Sequence, residues 1–129
     1  MTTQHHPALN KAPKNLKESL ERALTFMITH KGGAARYEDD KGCPCLIGSY
    51  FTPEQRQWII AKGYNDYQTV SLVHEIGHQN LTAMTGMNTN QCWILQTFYD
   101  SHQVVRLTGM IQEILDGKTE YIQCVHFTL

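Results

Sequence analysis

Apolar residues recur at helical intervals near the start of the chain. In "NLKESLERALTFMITHKGG" the positions Leu16, Leu20, Ala23, Leu24 and Met27 fall on one face and the charged residues on the other. That period predicts an amphipathic helix, with Gly32-Gly33 as its stop. The pattern then shortens. "AARYEDDKGCPCLIGSYF" places two short extended runs around Asp39, Asp40, Lys41 and Gly42, which reads as a hairpin. "TPEQRQWIIAKG" carries a full helix start: Thr52 to cap, Pro53 at the first helical position and Gln55 to close a capping box, with Gly63 at its end.

"NDYQTVSLVHEIGHQNLTAMTG" reads as one longer helix, opened by the pair Asn65 and Gln68 and closed by Gly86. Val70, Val73, Gly77, Leu81 and Met84 form its apolar stripe. "NTNQCWILQTFYD" starts another helix from Asn88 or Thr89. "LTGMIQEILDG" gives one more through Met110, Ile111, Ile114 and Leu115, with Thr108 as cap and Gly117 as end. The tail "TEYIQCVHFTL" is β-branched, aromatic and alternating, the pattern of a strand that can join the hairpin. The sum is an α+β fold: four to five helices packed on a small antiparallel sheet made of a hairpin plus a C-terminal strand. Residues 1–13 read as a flexible N-terminal arm, and residues 14–129 as a single compact α+β domain.

Composition narrows the function classes. With 129 residues the chain has room for one modest core. A hydrophobic content of 41% and a net charge of −1 describe a folded domain with no general attraction to nucleic acid or anionic membranes. No apolar run reaches the length of a membrane span, and the start lacks the apolar centre of a secretory signal. The expected location is cytoplasmic, where Cys43, Cys45, Cys92 and Cys124 are thiols or ligands rather than disulfides. No direct nucleic-acid contact and no membrane partner is expected.

The segment "LVHEIGHQN" carries the sharpest chemical signal. His74 and His78, four apart on one helix, would share a face and could hold one Zn²⁺. Glu75 would then act as general base on the metal-bound water. In this respect the helix resembles that of zinc metallopeptidases. The extended version of their motif requires Gly and His where this chain has Leu81 and Met84, so that version is excluded. A third ligand would have to come from Glu113, Asp100 or His102, and the spacing does not choose among them. Against this reading, His74 and His78 sit on the flank of the apolar stripe, where boundary histidines satisfied by neighbours are common. Only a short hairpin precedes the helix, whereas small zinc peptidases place a sizeable sheet there.

A second metal constellation is weaker. Cys43 and Cys45 would share one strand face, as would Cys124 and His126; paired strands could gather the four into a structural zinc site. Small buried thiols filling tight core positions would look the same. Trp58, Trp93, Phe98 and Tyr99 fall at helical positions and read as core or interface. No phosphate-binding glycine loop or nucleophile elbow is present.

The block Gly42-Cys43-Pro44-Cys45-Leu46-Ile47-Gly48 resembles a layout shared by small proteins of phages and bacteria. In them a helix ends at Gly, and a strand and acidic turn lead into Cys-x-x-Gly. A later helix ends in Asn-Asp, and a capped helix with Ile-x-x-Ile spacing follows. "LQTFYDSHQ" followed by "TGMIQEIL" is similar to the last block, with Tyr99-Asp100 standing in place of Asn-Asp. The likeness runs from Leu16 to Leu115. It implies a mobile-element setting, and it makes the His74–His78 segment a connecting helix. Under it the chain is a non-enzymatic binding protein without a cofactor. Its partner would be a host protein or complex (a defence system such as CRISPR, for example) or a sequestered ligand. Homodimerisation stays open. The alternative is a minimal zinc metallohydrolase built on His74, Glu75 and His78.

Overall fold

The computed structural model describes residues 12–30 and 36–129. Helix α1 spans Leu16–Thr29 and buries Ser19, Leu20, Ala23, Phe26 and Met27. Asn15 caps it, its side-chain oxygen accepting from the Glu18 N–H at 2.8 Å. The helix ends ahead of Gly32-Gly33. Those glycines, the start of the expected hairpin and nearly all of the expected N-terminal arm lie outside the described residues.

From Arg36 the chain makes a loop where a hairpin was expected. The Asp39 carboxylate accepts from the N–H groups of Lys41 and Cys43, each at 2.9 Å. This closes the turn on itself and takes its donors away from strand pairing. Ile47–Tyr50 then form a buried 3-10 turn. Asn65 clasps the loop from across the fold. Its side chain accepts from the Glu38 N–H at 3.0 Å and donates to the Glu38 carbonyl at 2.8 Å. It therefore does not cap the helix that follows, as its spacing with Gln68 suggested.

Helix α2 spans Pro53–Ala61, with the expected capping box between Thr52 and Gln55. The expected long helix is two: α3, Thr69–Ile76, and α4, His78–Thr85, broken at Gly77. Helix α5, Thr89–Asp100, starts from a capping box between Asn88 and Gln91. Helix α6, Val104–Leu115, begins a turn earlier than Thr108 suggested. Thr108 is inside it, its hydroxyl donating back to the Val104 carbonyl at 2.7 Å.

The tail folds back on itself. Strands β1, Tyr121–Ile122, and β2, Val125–His126, pair antiparallel as Tyr121 with His126 and Ile122 with Val125. Gln123 and Cys124 turn the corner with φ of 47° and 68°, the left-handed pair that a two-residue hairpin demands. The α+β class with a small antiparallel sheet stands, and the described sheet is this hairpin alone.

Helix α5 is the hub, packed against α3, α4, α6 and β2, while α1 lies on α6. Leu20, Phe26, Phe51, Leu72, Leu95, Leu107 and Ile111 fill the core. Several buried polar groups in it are paired across elements. The Tyr50 hydroxyl donates to the Ser19 carbonyl at 2.6 Å, and the Ser19 hydroxyl to the Thr85 carbonyl at 2.7 Å. Arg56, 3% exposed, donates to Glu38 at 2.9 Å and to the carbonyls of Gly48 and Phe51.

Candidate functional site

Gly77 decides the geometry of the histidine motif. Its φ of 90° and ψ of 149° are open to glycine and essentially closed to other residues. Its N–H closes α3 on the Val73 carbonyl, and its carbonyl opens α4 by accepting from Leu81. The Asn80 side chain donates to the Ile76 carbonyl at 2.6 Å, satisfying one group that the break leaves without a helical partner. His74 therefore sits in the last turn of one helix and His78 at the first position of the next. They are not stacked on one continuous face.

Both histidines and Glu75 are exposed. His78 Nδ1 pairs with the Thr89 hydroxyl at 2.7 Å. The Glu75 carboxylate accepts from the Tyr64 hydroxyl at 3.0 Å, a bond that holds the Tyr64 phenol above its ordinary pKa. Of the candidate third ligands, Asp100 accepts from Gln96 at 2.6 Å, His102 stands at the α5–α6 corner with φ of 59°, and Glu113 is exposed on α6. Among the described residues, no three His, Cys, Asp or Glu side chains gather where they could hold a metal ion. The four-ligand cysteine constellation is not assembled either. Cys43 is exposed in the Asp39 loop and Cys45 is buried beneath it, while Cys124 is exposed at the tip of the tail hairpin. The expected shared face was lost with the expected strand.

Two concave regions lie against α3, one at its end and one at its start. The first is an apolar groove of about 520 Å³ between α2 and the α3–α4 break, lined by Trp58, Ile59, Ile76, Ala83, Met84 and Glu75 among others. From Trp58 in its lining a row of rings runs away from the groove. Trp58 meets Tyr64 edge-on at 5.8 Å, and Tyr64 meets Tyr67 at 4.9 Å. The Lys62 ammonium lies over the Trp58 ring at 5.9 Å. Trp58 is 44% exposed and Tyr67 40%.

The second region is a cavity of about 480 Å³ between the Arg36–Cys45 loop, the start of α3 and the face of α5. Tyr37, Cys45 and Thr69 line its floor, Gln96 and Asp100 one wall, and Tyr67 and Trp93 its rim. Burial pushes the Cys45 thiol up to about 12 and raises the Tyr37 phenol further still. The Thr69 hydroxyl is near enough to oppose the rise in Tyr37. The pair nevertheless misses hydrogen-bond geometry, and neither oxygen has a partner among the described residues. Asp100 has much of its surface open, yet loss of water contact raises its carboxyl above the usual range, with Gln96 opposing.

The hydrophobic pattern pointed at Trp58 as core or interface. It did not single out Tyr64, Tyr67, Tyr37 or Thr69, which meet only through the loop between α2 and α3. The chain matches no protein-family model, no curated protein and no solved structure in the comparisons made with each. Among the described residues, no helix is long and apolar enough to cross a membrane.

Proposed function

We propose that the chain is a non-enzymatic binding protein that docks on a protein of the host through the Trp58–Tyr64–Tyr67 row and the adjoining groove. The row itself carries the reading. Tryptophan and tyrosine combine large apolar area with few rotatable bonds, and they dominate the energetics of protein interfaces when they stand around a pocket. Here three such rings stand in contact in a row that starts from Trp58 in the lining of an apolar groove, steadied by Glu75 and Lys62. In this reading Glu75 orients Tyr64 rather than activating water. The likeness of the Gly42–Gly48 block to small phage proteins supplies the setting: a mobile-element product that modulates a host protein complex, such as a defence assembly.

The test is capture of a partner from host cells, followed by titration of that purified partner against variants. Trp58→Ala should weaken binding by about thirtyfold or more, the effect of losing an interface anchor of roughly 2 kcal/mol. His74→Ala should leave binding within about twofold. Affinity that ignores Trp58 and Tyr64 would end the proposal. One zinc per chain, lost on His74→Ala, would favour the hydrolase reading instead.

A further inference from the structure

The cavity behind Tyr67 is a different kind of site from the groove. Its floor holds two hydroxyls, Tyr37 at 3% exposure and Thr69 at 2%, both without a hydrogen-bond partner among the described residues. A buried hydroxyl left unpaired costs stability, and native chains rarely keep two together without a use for them. Gln96 is already committed: its carbonyl oxygen accepts from the Ile47 N–H at 2.8 Å and its amide donates to Asp100. Asp100 keeps acceptor capacity at the mouth, since one of its two oxygens holds that bond. Trp93, 40% exposed, and Tyr67 offer flat apolar faces at the rim.

Charge narrows the ligand. The lining carries one guanidinium, Arg36, against two carboxylates, Asp66 and Asp100, a balance of −1. Arg36 is itself held by Asp66 at 3.0 Å. An anion would meet a surplus of negative charge and a cation already engaged. The volume of about 480 Å³ lies in the range of small-molecule pockets. We infer that this cavity binds a small, uncharged or cationic planar amino-heterocycle of nucleobase or nucleoside type. Its N–H edge donates to Asp100, its polar atoms pair with the Tyr37 and Thr69 hydroxyls, and its ring lies against Tyr67 and Trp93. The cavity shares Tyr67 with the docking row but no lining residue with the groove, so its failure would leave the docking proposal, tested at Trp58 and Tyr64, intact.

The two indole N–H resonances in a proton–nitrogen NMR spectrum report Trp58 and Trp93 separately. Adenosine, cytidine and guanosine are the probes, with AMP as the anionic counterpart. At least one nucleoside should shift the Trp93 signal in a saturable way while sparing Trp58, and AMP should bind at least tenfold more weakly than adenosine. Thr69→Val and Tyr37→Phe should each weaken the nucleoside tenfold or more and at the same time raise the Tm of the free protein. That opposed pair of effects belongs to a ligand site and not to a structural hydroxyl. Saturation without any Trp93 shift, no saturable response to any nucleoside, or a Tm that falls in both variants would each overturn the inference.

Discussion

Replacing Gly77 with alanine tests the break between α3 and α4, because the two conformations predict opposite signs. At φ 90° and ψ 149° the backbone is in a region that only glycine occupies readily. Space is not the obstacle: an added Cβ would meet nothing nearer than the Asn80 amide at 4.0 Å. The cost is conformational, about 1–3 kcal/mol for a side chain held there. Reduced freedom of the unfolded chain returns about 0.4–1 kcal/mol. Gly77→Ala should therefore destabilise by about 1–2 kcal/mol. In an unbroken helix the same change would stabilise by about 0.8–1 kcal/mol, the propensity difference between the two residues. Gly109, inside α6 with open space around it, provides that second case within the same molecule. Urea unfolding followed by tryptophan fluorescence should move the Gly77→Ala midpoint down and the Gly109→Ala midpoint up at unchanged slope. A Gly77→Ala protein more stable than the parent would refute the break. It would also restore the single helical face on which His74 and His78 could share a metal.

Other contacts make separable predictions. Glu38→Gln leaves Arg56 without its carboxylate and should cost about 3 kcal/mol, the low end for a broken buried pair, because Glu38 is 15% exposed. Asp66→Asn, which breaks an exposed pair with Arg36, should cost under about 1 kcal/mol in the same denaturation assay. Gly48→Ala would drive a methyl group into the Tyr37 carbonyl, backbone that cannot step aside, and should lower stability by about 3 kcal/mol. Cys45 and Cys92 are buried thiols pushed up from 9.0 to about 12, so folding favours their protonated forms. Their contribution is complete below pH about 9 and is lost as the pH rises from there towards 12, which circular dichroism against pH should record as alkaline unfolding. At neutral pH a thiol reagent should label exposed Cys43 and Cys124 and spare the other two.

What could be read from the chain follows the range over which each signal acts. Caps are local. Thr52, Pro53 and Gln55 form the capping box their spacing promised, and Asn88, one of the two expected starts, caps its helix in a second box with Gln91, because each box needs only four neighbouring residues. Asn65 had the same spacing with Gln68 and went elsewhere, since a distant backbone at Glu38 offered it two hydrogen bonds at once. The tail had the residues of a strand, but its partner was its own second half. Nothing in Gln123-Cys124 resembles the glycine or asparagine that usually marks such a turn.

The histidine motif shows the same limit from the side of function. Its letters specify residue types, and metal binding by the pair also needs a continuous helix under them. A glycine in the middle of an apolar stripe is compatible with either outcome from sequence, costing about 1 kcal/mol if the helix continues. Here Asn80 bonds back to the Ile76 carbonyl and the Leu81 N–H to the Gly77 carbonyl, so the break keeps two hydrogen bonds of its own. The turn that separates the histidines also carries Glu75 to Tyr64, and through Tyr64 the aromatic row runs from the apolar groove to the polar cavity. Of the motif, Glu75 thus lines the groove and reaches the aromatic row, while His74 and His78 line neither concave surface. Of the residues that give those surfaces their chemistry, Glu75, Cys45 and Asp100 stood in motifs, whereas Tyr37, Tyr64, Tyr67 and Thr69 were singled out by none.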